Sequence, residues 1–140
     1  DLHSLRRRQR QMCIRDIDKV IRCQKKLLEE NVICPVATTI DLLSSKWKVL
    51  IIRDLLPGTK RFTQLKTSVA GISQKMLTQS LREMEHDGLV VRQIFPVVPL
   101  KVEYSLSKLG RSMEPVINSM AEWGNFYLDQ NPDKRKELPK

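Results

Sequence analysis

A stripe of cationic and amide side chains near the middle of the chain has the hydrogen-bonding groups that base recognition in DNA requires. The stripe consists of Lys75, Gln79, Arg82 and His86. Their separations place them on one face of a helix. Lys and Arg can donate to guanine O6 and N7 or to phosphate, and Gln pairs bidentately with adenine. This face suits a DNA groove; the alternative is a merely solvated helix face.

A helix from Ser73 to Asp87 is predicted to carry the stripe. Ser73 is a favoured N-cap residue, and Gly88 stands where glycine commonly ends a helix. Backbone N–H groups of the first turn, together with Ser73 and Gln74, can receive a phosphate. Burial of the opposite face would turn the stripe toward solvent. That opposite face carries Leu77, Leu81 and Met84.

The segments around this helix complete a winged helix-turn-helix pattern. The stretch that starts at Phe62 predicts a helix of about two turns, with Thr63 as its N-cap and Gly71 closing the segment. After the stripe, the β-rich runs 89–95 and 101–106 flank prolines that cannot join a central ladder, which predicts a hairpin with a stiff tip. Two helices joined by a tight turn and followed by a hairpin are typical of a winged helix-turn-helix. Cations at the ends of these elements are Lys60, Arg61, Lys66 and Lys101.

Three further helices are predicted before this motif. An amphipathic leading helix begins at Ile17 and stops near Asn31. A short helix over residues 36–43 follows Pro35 and ends at the two serines after it, and a buried helix over residues 47–56 is stopped by a Pro-Gly pair.

The last predicted helix begins after Ser107 and has an apolar seam of the kind that packs against another helix. Pro115 removes one helical hydrogen bond, so we expect a kink near Arg111 and Ser112. Because the predicted helices accompany a single hairpin, the predicted fold class is α+β, mainly helical. The seam consists of Leu109, Met113, Val116, Met120, Trp123 and Tyr127.

Length and charge restrict the function classes. The chain has 140 residues, enough for one ordinary domain, and a net charge of +9 that favours a polyanionic partner. The longest aliphatic run, Val49 to Ile52, is far too short to span a membrane, and no signal peptide opens the sequence, so we expect a cytoplasmic, nucleoid-associated protein without membrane contact.

The chain is predicted to divide into a single domain over residues 17–130 with two flanking segments. Residues 1–16 are Arg-rich, lack an apolar face and look like a non-native or disordered leader; the alternative is a native basic arm that follows DNA phosphates. Residues 131–140 form a polar tail that we expect to fray.

Enzymatic activity is not predicted. The two histidines, His3 and His86, lie in the leader and on the exposed stripe, so no general base can be assigned to a cysteine nucleophile. The three cysteines, Cys13, Cys23 and Cys34, lack metal-ligand spacing and no phosphate-binding glycine loop is present, so no metal or cofactor is expected.

From Cys34 to about Leu128 the sequence resembles the HxlR-type family of winged-helix bacterial transcription regulators. Ser44 and Ser45 stand where the family usually has glycines, and Val97 and Leu100 depart from its wing pattern. The matching residues are Cys34-Pro35-Val36, Lys46-Trp47, Arg61-Phe62, Leu65, Gly71–Thr78, Leu81-Arg82, Glu85, Asp87–Val90, Pro96, Val98-Pro99, Val102–Leu106, Leu109–Arg111 and Ala121–Trp123.

The resemblance implies a homodimeric regulator of double-stranded DNA that is expected to repress, with helix 73–87 in the major groove of an inverted-repeat operator and hairpin 89–106 as the wing. The candidate DNA contacts are Lys60, Arg61, Thr63, Ser73, Gln74, Lys75, Thr78, Gln79, Arg82 and Lys101. The candidate dimer interface, on the terminal helices, consists of Ile17, Val20, Ile21, Leu109, Met113, Val116, Met120, Trp123 and Tyr127.

Cys34 matches the position at which many family members sense oxidants or electrophiles. It precedes Pro35 at a predicted helix start, where the positive end of the helix dipole would lower a thiol pKa. The structural alternative is a small buried thiol. Two functional alternatives also stay open: a regulator that responds to a small effector without thiol sensing, and a winged-helix module that binds a protein.

Overall fold

The computed structural model of the chain describes residues 33–136. The chain divides into two compact units, Asp1–Leu42 and Leu43–Lys140. The leader and the leading helix predicted from the sequence lie outside the described residues, as do the predicted interface residues Ile17, Val20 and Ile21.

Helix α1 spans Pro35–Leu43, in agreement with the short helix predicted there. The proline occupies the first turn, where its missing N–H costs no helical hydrogen bond. The N–H of Thr38 donates to the carbonyl oxygen of Cys34 over 2.9 Å. Cys34 therefore lies at the N-terminal end of α1.

Helix α2 spans Lys46–Leu55 and lies at the centre of the second unit. Ser45 is its N-cap, because the Ser45 hydroxyl oxygen accepts from the N–H of Lys48 over 3.4 Å. The preceding helix ends at Leu43, directly before the two serines that were predicted to end it, and Ser45 also caps the next helix. Ile51, Ile52 and Leu55 are fully buried, as the apolar character of this segment predicts.

The two helices of the helix-turn-helix are α3, Phe62–Ser68, and α4, Gln74–His86. Helix α3 begins two residues earlier than the predicted N-cap implies: Arg61 is its N-cap, and the Arg61 N–H donates to Oε1 of Gln64 over 2.8 Å. The prediction of Thr63 as N-cap was therefore wrong. Helix α4 has Ser73 as its N-cap, as predicted, and its C-cap is Asp87, at the predicted end of the helix.

A small antiparallel sheet forms the wing. Its strands are β1, Lys60–Arg61, β2, Val90–Phe95, and β3, Lys101–Leu106, in the order β1-β3-β2. The β2–β3 hairpin was predicted, and its register pairs Val90 with Leu106 and Phe95 with Lys101. Strand β1 was not predicted, because two residues have no detectable alternation and their partner lies on β3.

The C-terminal region forms two helices where one was predicted. Helix α5 spans Lys108–Arg111 and helix α6 spans Glu114–Gln130, so the expected kink is a complete break. Pro115 lies in the first turn of α6, where proline is tolerated, instead of bending a continuous helix. A 3₁₀ helix over Pro132–Lys136 occupies part of the segment predicted to fray.

The core joins the buried faces of α2, α3, α4 and the base of the hairpin. Met113 and Ile117 extend it to the start of α6. Met113 was predicted to lie on the interface seam, but it is buried in the core of this chain, between the end of α5 and the start of α6. Other core residues are Leu43, Ile51, Ile52, Leu55, Leu65, Val69, Ile72, Leu77, Leu81, Met84, Leu89, Val90 and Leu106.

The helices of the described part of the chain are too short or too polar for any of them to cross a bilayer.

Gly110 allows α5 to pack directly on the start of the hairpin. A Cβ atom at this position would overlap the carbonyl oxygen of Leu89. The same oxygen accepts from the N–H of Ser107 over 3.0 Å, and the Ser107 hydroxyl accepts from the N–H of Gly110 over 3.0 Å. The glycine thus permits a close backbone approach that two hydrogen bonds stabilise.

Gly110→Ala is expected to lower the free energy of unfolding by about 1–3 kcal/mol, since the added methyl group must push α5 away from the hairpin. Urea denaturation of both proteins measures the change. Gly58→Ala is the control, because a Cβ at Gly58 meets no heavy atom within 4 Å. Equal stability of Gly110→Ala and the parent chain would contradict the close approach.

Candidate nucleic-acid interface

Helix α4 has one buried and one exposed face, in the arrangement predicted from its spacing. Leu77, Leu81 and Met84 are buried in the core. Lys75, Gln79 and Arg82 on the other face are exposed. The side chains suited to base recognition therefore project outward from a helix whose rotation is fixed by its buried side.

The N-terminal turn of α4 presents further polar groups. The hydroxyl oxygen of Ser73 accepts from the N–H of Met76 over 3.1 Å, and Gln74 is exposed beside it. The Thr78 hydroxyl donates to the carbonyl oxygen of Gln74 over 2.8 Å. Ser73 and Thr78 are thus held by the helix, and the positive end of the helix dipole lies at Ser73 and Gln74.

Gln79 belongs to a polar network that reaches into the core. Its Nε2 donates to Oε1 of Glu83 over 3.0 Å. Oε2 of Glu83 lies 2.7 Å from Nζ of Lys48, whose side chain is only 5 % exposed. The hydrogen bond from Lys48, then the one from Gln79, lower the pKa of Glu83 below its ordinary value. Glu83 is therefore held as a carboxylate.

A second set of contacts ties α4 to the hairpin. Nε of Arg92 on β2 lies 3.5 Å from Oε1 of Glu85, near the end of α4. Tyr104 on β3 lines the cleft between α4 and the hairpin with Arg82 and Arg92. Burial raises the pKa of Tyr104, so its hydroxyl stays neutral at physiological pH. Polar side chains of the wing and of α4 thus lie next to one another along this cleft.

The other predicted contacts lie around the wing. Arg61 and Thr63 are exposed and line a groove with the wing tip, while Lys60 is half-buried in β1. Nζ of Lys101 lies 2.9 Å from Oε1 of Glu103 and 4.8 Å from the centre of the Phe95 ring. The charge of Lys101 is therefore partly balanced within the hairpin, whereas Lys75 and Arg82 form no ion pair with any residue that the structure describes.

The wing tip is apolar and exposed. Val98 is fully exposed, and Val97 and Leu100 are more than half exposed. Two of these three residues are positions at which the sequence departs from the family pattern. The tip itself therefore offers no charged group to DNA phosphate.

A separate apolar surface lies on the last helix. Val116, Met120 and Trp123 are exposed on α6, and Trp123 is stacked on Tyr127 with ring centres 5.6 Å apart. Leu109, from the same predicted seam, is exposed on α5. The predicted seam is thus divided between two helices, and Met113, which was predicted to belong to it, lies in the core.

Two residues of the site were not singled out from the sequence: Lys48 and Glu83. The four-residue separation of Gln79 and Glu83 was a usable signal for a helical side-chain pair. Lys48 lies in an apolar run, and its pairing with α4 depends on how the two helices pack.

Known proteins share this arrangement. A family model described as HxlR-like helix-turn-helix matches residues 42–132, which include the helix-turn-helix, the wing and α6. The chain belongs to the HxlR-like helix-turn-helix family. The family resemblance and the winged helix-turn-helix fold predicted from the sequence are both confirmed.

Relatives and solved structures agree with this membership. The chain is 46% identical over 97 residues to the uncharacterized HTH-type transcriptional regulator YdeP of Bacillus subtilis strain 168, covering 69% of this chain and 76% of that protein. The putative HTH-type regulator ytcD has a TM-score of 0.66 at 41% identity, over 69% of this chain and 99% of that one. The redox regulator HypR in its oxidized form has a TM-score of 0.63 at 44% identity, over 66% of this chain and 95% of that one.

The HxlR-like chain is therefore a transcriptional regulator with a helix-turn-helix DNA-binding domain. Its described part carries the winged helix-turn-helix on residues 60–106, with α4 as the helix that presents the polar stripe.

Proposed function

We propose that this protein is a homodimeric repressor that binds an inverted-repeat operator in the bacterial cytoplasm, at the nucleoid. The observation that carries the proposal is the exposed row of Lys75, Gln79 and Arg82 on a helix whose opposite face is fully buried. In each protomer α4 enters a major groove, and the two helices lie about 34 Å apart to reach successive grooves.

The proposed contacts divide by chemistry. Lys75, Gln79 and Arg82 read base edges, since their donors and amide match the major-groove patterns of guanine and adenine. Phosphate contacts come from the first turns of α4 and from the side and tip end of the wing, where backbone N–H groups, hydroxyls and cations are available. The residues in this second set are Lys60, Arg61, Thr63, Ser73, Gln74, Thr78 and Lys101.

The exposed apolar surface of α6 supports a dimer. Val116, Met120 and Trp123 form a stripe that a symmetric second copy would cover, and aromatic and Met side chains are enriched in such interfaces. Leu109 and Tyr127 border this stripe in the proposed interface.

Control by a thiol is the second part of the proposal. Cys34 is half-buried at the N-terminal end of α1, a position that favours negative charge on the sulfur. The similar protein HypR is named a redox regulator, which supports the same class of signal for this chain. Oxidation or alkylation of Cys34 would then release the operator.

Arg82→Ala is expected to weaken operator binding by about 1–3 kcal/mol, because a donor to a base or a desolvated phosphate is lost. The measurement is fluorescence anisotropy with a labelled duplex selected by the purified protein. Arg111→Ala is the matched control: it removes an exposed arginine on α5 and should bind like the parent chain.

Operator affinity should also fall steeply with salt, with a slope of log K against log salt of about −0.9 per neutralised phosphate. Equal affinity of Arg82→Ala and the parent chain would mean that the Arg82 side chain is solvated and makes no contact with DNA. Absence of any salt-dependent duplex binding would favour the protein-interaction module instead.

Met120→Asp is expected to convert the dimer to monomers, because a carboxylate in the centre of the apolar stripe would lose its hydration on association. Light scattering coupled to gel filtration gives the mass. Val91→Asp, which changes an exposed valine on β2, should leave the dimer intact. A Met120→Asp chain that stays dimeric would locate the interface elsewhere.

Cys34→Ser is expected to abolish the loss of operator binding that diamide or a quinone causes in the parent chain, since the reactive sulfur is gone. Binding without oxidant should be unchanged in the variant. Gel shifts before and after treatment make the comparison, and undiminished sensitivity of Cys34→Ser would remove the sensor role.

A further inference from the structure

Among the residues that the structure describes, Lys48 is the positively charged residue whose side chain is buried. Its side chain is 5 % exposed on α2, among residues that are otherwise apolar or half-buried there. A buried ammonium costs desolvation unless it is paired, so its partner has a structural consequence. That partner is Glu83, on the helix proposed to enter the groove.

The contacts run in one direction from the core to the DNA-facing surface. Nζ of Lys48 lies 2.7 Å from Oε2 of Glu83, and Oε1 of the same carboxylate accepts from Nε2 of Gln79 over 3.0 Å. Each carboxylate oxygen therefore has its own donor. Glu83 is 44 % exposed in its side chain, so it lies at the border between core and solvent.

The ionised Glu83 side chain selects one orientation of the side-chain amide group of Gln79. An ionised carboxylate only accepts hydrogen bonds, so it must face the amide nitrogen, and the amide oxygen of Gln79 must point the other way. A free glutamine would populate both orientations of its amide group. Bidentate pairing with adenine requires one of them, with Nε2–H and Oε1 presented together to N7 and N6.

We infer that Lys48 is a positioning residue for base recognition: through Glu83 it holds the Gln79 amide in the orientation that reads adenine. One hydrogen of Nε2 is donated to Glu83, and the other hydrogen and Oε1 face the groove. The inference deepens the proposed function and rests on it, because it assigns specificity at one position of each half-site to a residue that touches no DNA.

The first step of the test locates the base pair that Gln79 reads. The parent chain and Gln79→Ala are each titrated against a panel of selected operators in which one base pair at a time is substituted. The base pair at which the parent chain discriminates between bases and Gln79→Ala does not is called the Gln79 position. A bidentate pair discriminates there by about 5- to 150-fold.

The second step measures Lys48→Met on the same panel. Met is unbranched and suits a buried site, so it removes the ammonium with little change in volume. We expect the preference for adenine to fall about fivefold or more at the Gln79 position alone. The salt slope should not change, because Lys48 meets no phosphate. Lys46→Met is the matched control, since Lys46 is exposed on the same helix and lies 4.3 Å from the Trp47 ring.

Glu83→Gln provides a second variant at a partly exposed position. Its side-chain amide can face Gln79 with either its oxygen or its nitrogen, so it keeps the shape of Glu83 but no longer selects one orientation. The same loss at the Gln79 position is expected, and the double variant with Lys48→Met should lose no more than either single variant.

A spectroscopic measurement on the protein without DNA separates this inference from the proposed function. In the parent chain, one side-chain amide proton of Gln79 should be shifted by its bond to the carboxylate in a ¹H–¹⁵N NMR spectrum. In Lys48→Met and Glu83→Gln the two proton shifts should converge toward those of a solvated glutamine, while Lys46→Met should match the parent chain.

Three results would overturn the inference. Unchanged adenine preference in both Lys48→Met and Glu83→Gln would show that Gln79 needs no support. Equal loss at every operator position would mean that Lys48 only stabilises the fold. If the NMR shifts behave as expected but the parent chain binds no duplex selectively, the proposed function fails and the assignment to adenine fails with it.

Discussion

The burial of the apolar face of α4 is the constraint on which the rest of the site depends. Leu77, Leu81 and Met84 are packed against α2 and the hairpin base, which fixes the rotation of the helix about its axis. Because helical faces are rigidly related, the position of these three residues determines where Lys75, Gln79 and Arg82 point. A different rotation would bury cations and expose leucines, at a cost in both hydrophobic burial and desolvation.

The second constraint is the attachment of the wing to this helix. The Glu85–Arg92 ion pair and the packing of α5 beneath the hairpin hold β2 and β3 beside α4. The partly exposed ion pair contributes little energy by itself, so the orientation of the wing rests mainly on its buried base. Val90 and Leu106, which face each other in the register, belong to the same core as α4.

The cations of the described part of the chain fall into two groups. Lys101 is turned toward Glu103 and Phe95, and Lys48 is turned toward Glu83, whereas Lys75 and Arg82 are exposed on the outer face of α4. The net positive charge of the chain does not distinguish these roles. What distinguishes them is whether a carboxylate of the described residues lies within ion-pair distance. Glu103 is two residues from Lys101 on the same strand, whereas Glu83 reaches Lys48 because α2 and α4 pack together.

Helical spacing, N-cap serines and glycine stops are local signals, so the type and order of most elements and the two faces of α4 could be predicted from the sequence alone. The sequence also determined the family, through residues spread from Cys34 to Trp123. Tertiary structure decided the features that depend on distant partners: strand β1 exists only beside β3, Met113 is buried in the core between the end of α5 and the start of α6, and Lys48 pairs with Glu83 only because α2 and α4 pack together. Local spacing carries no information about such pairings, since the two partners are separated along the chain and are brought together by the core.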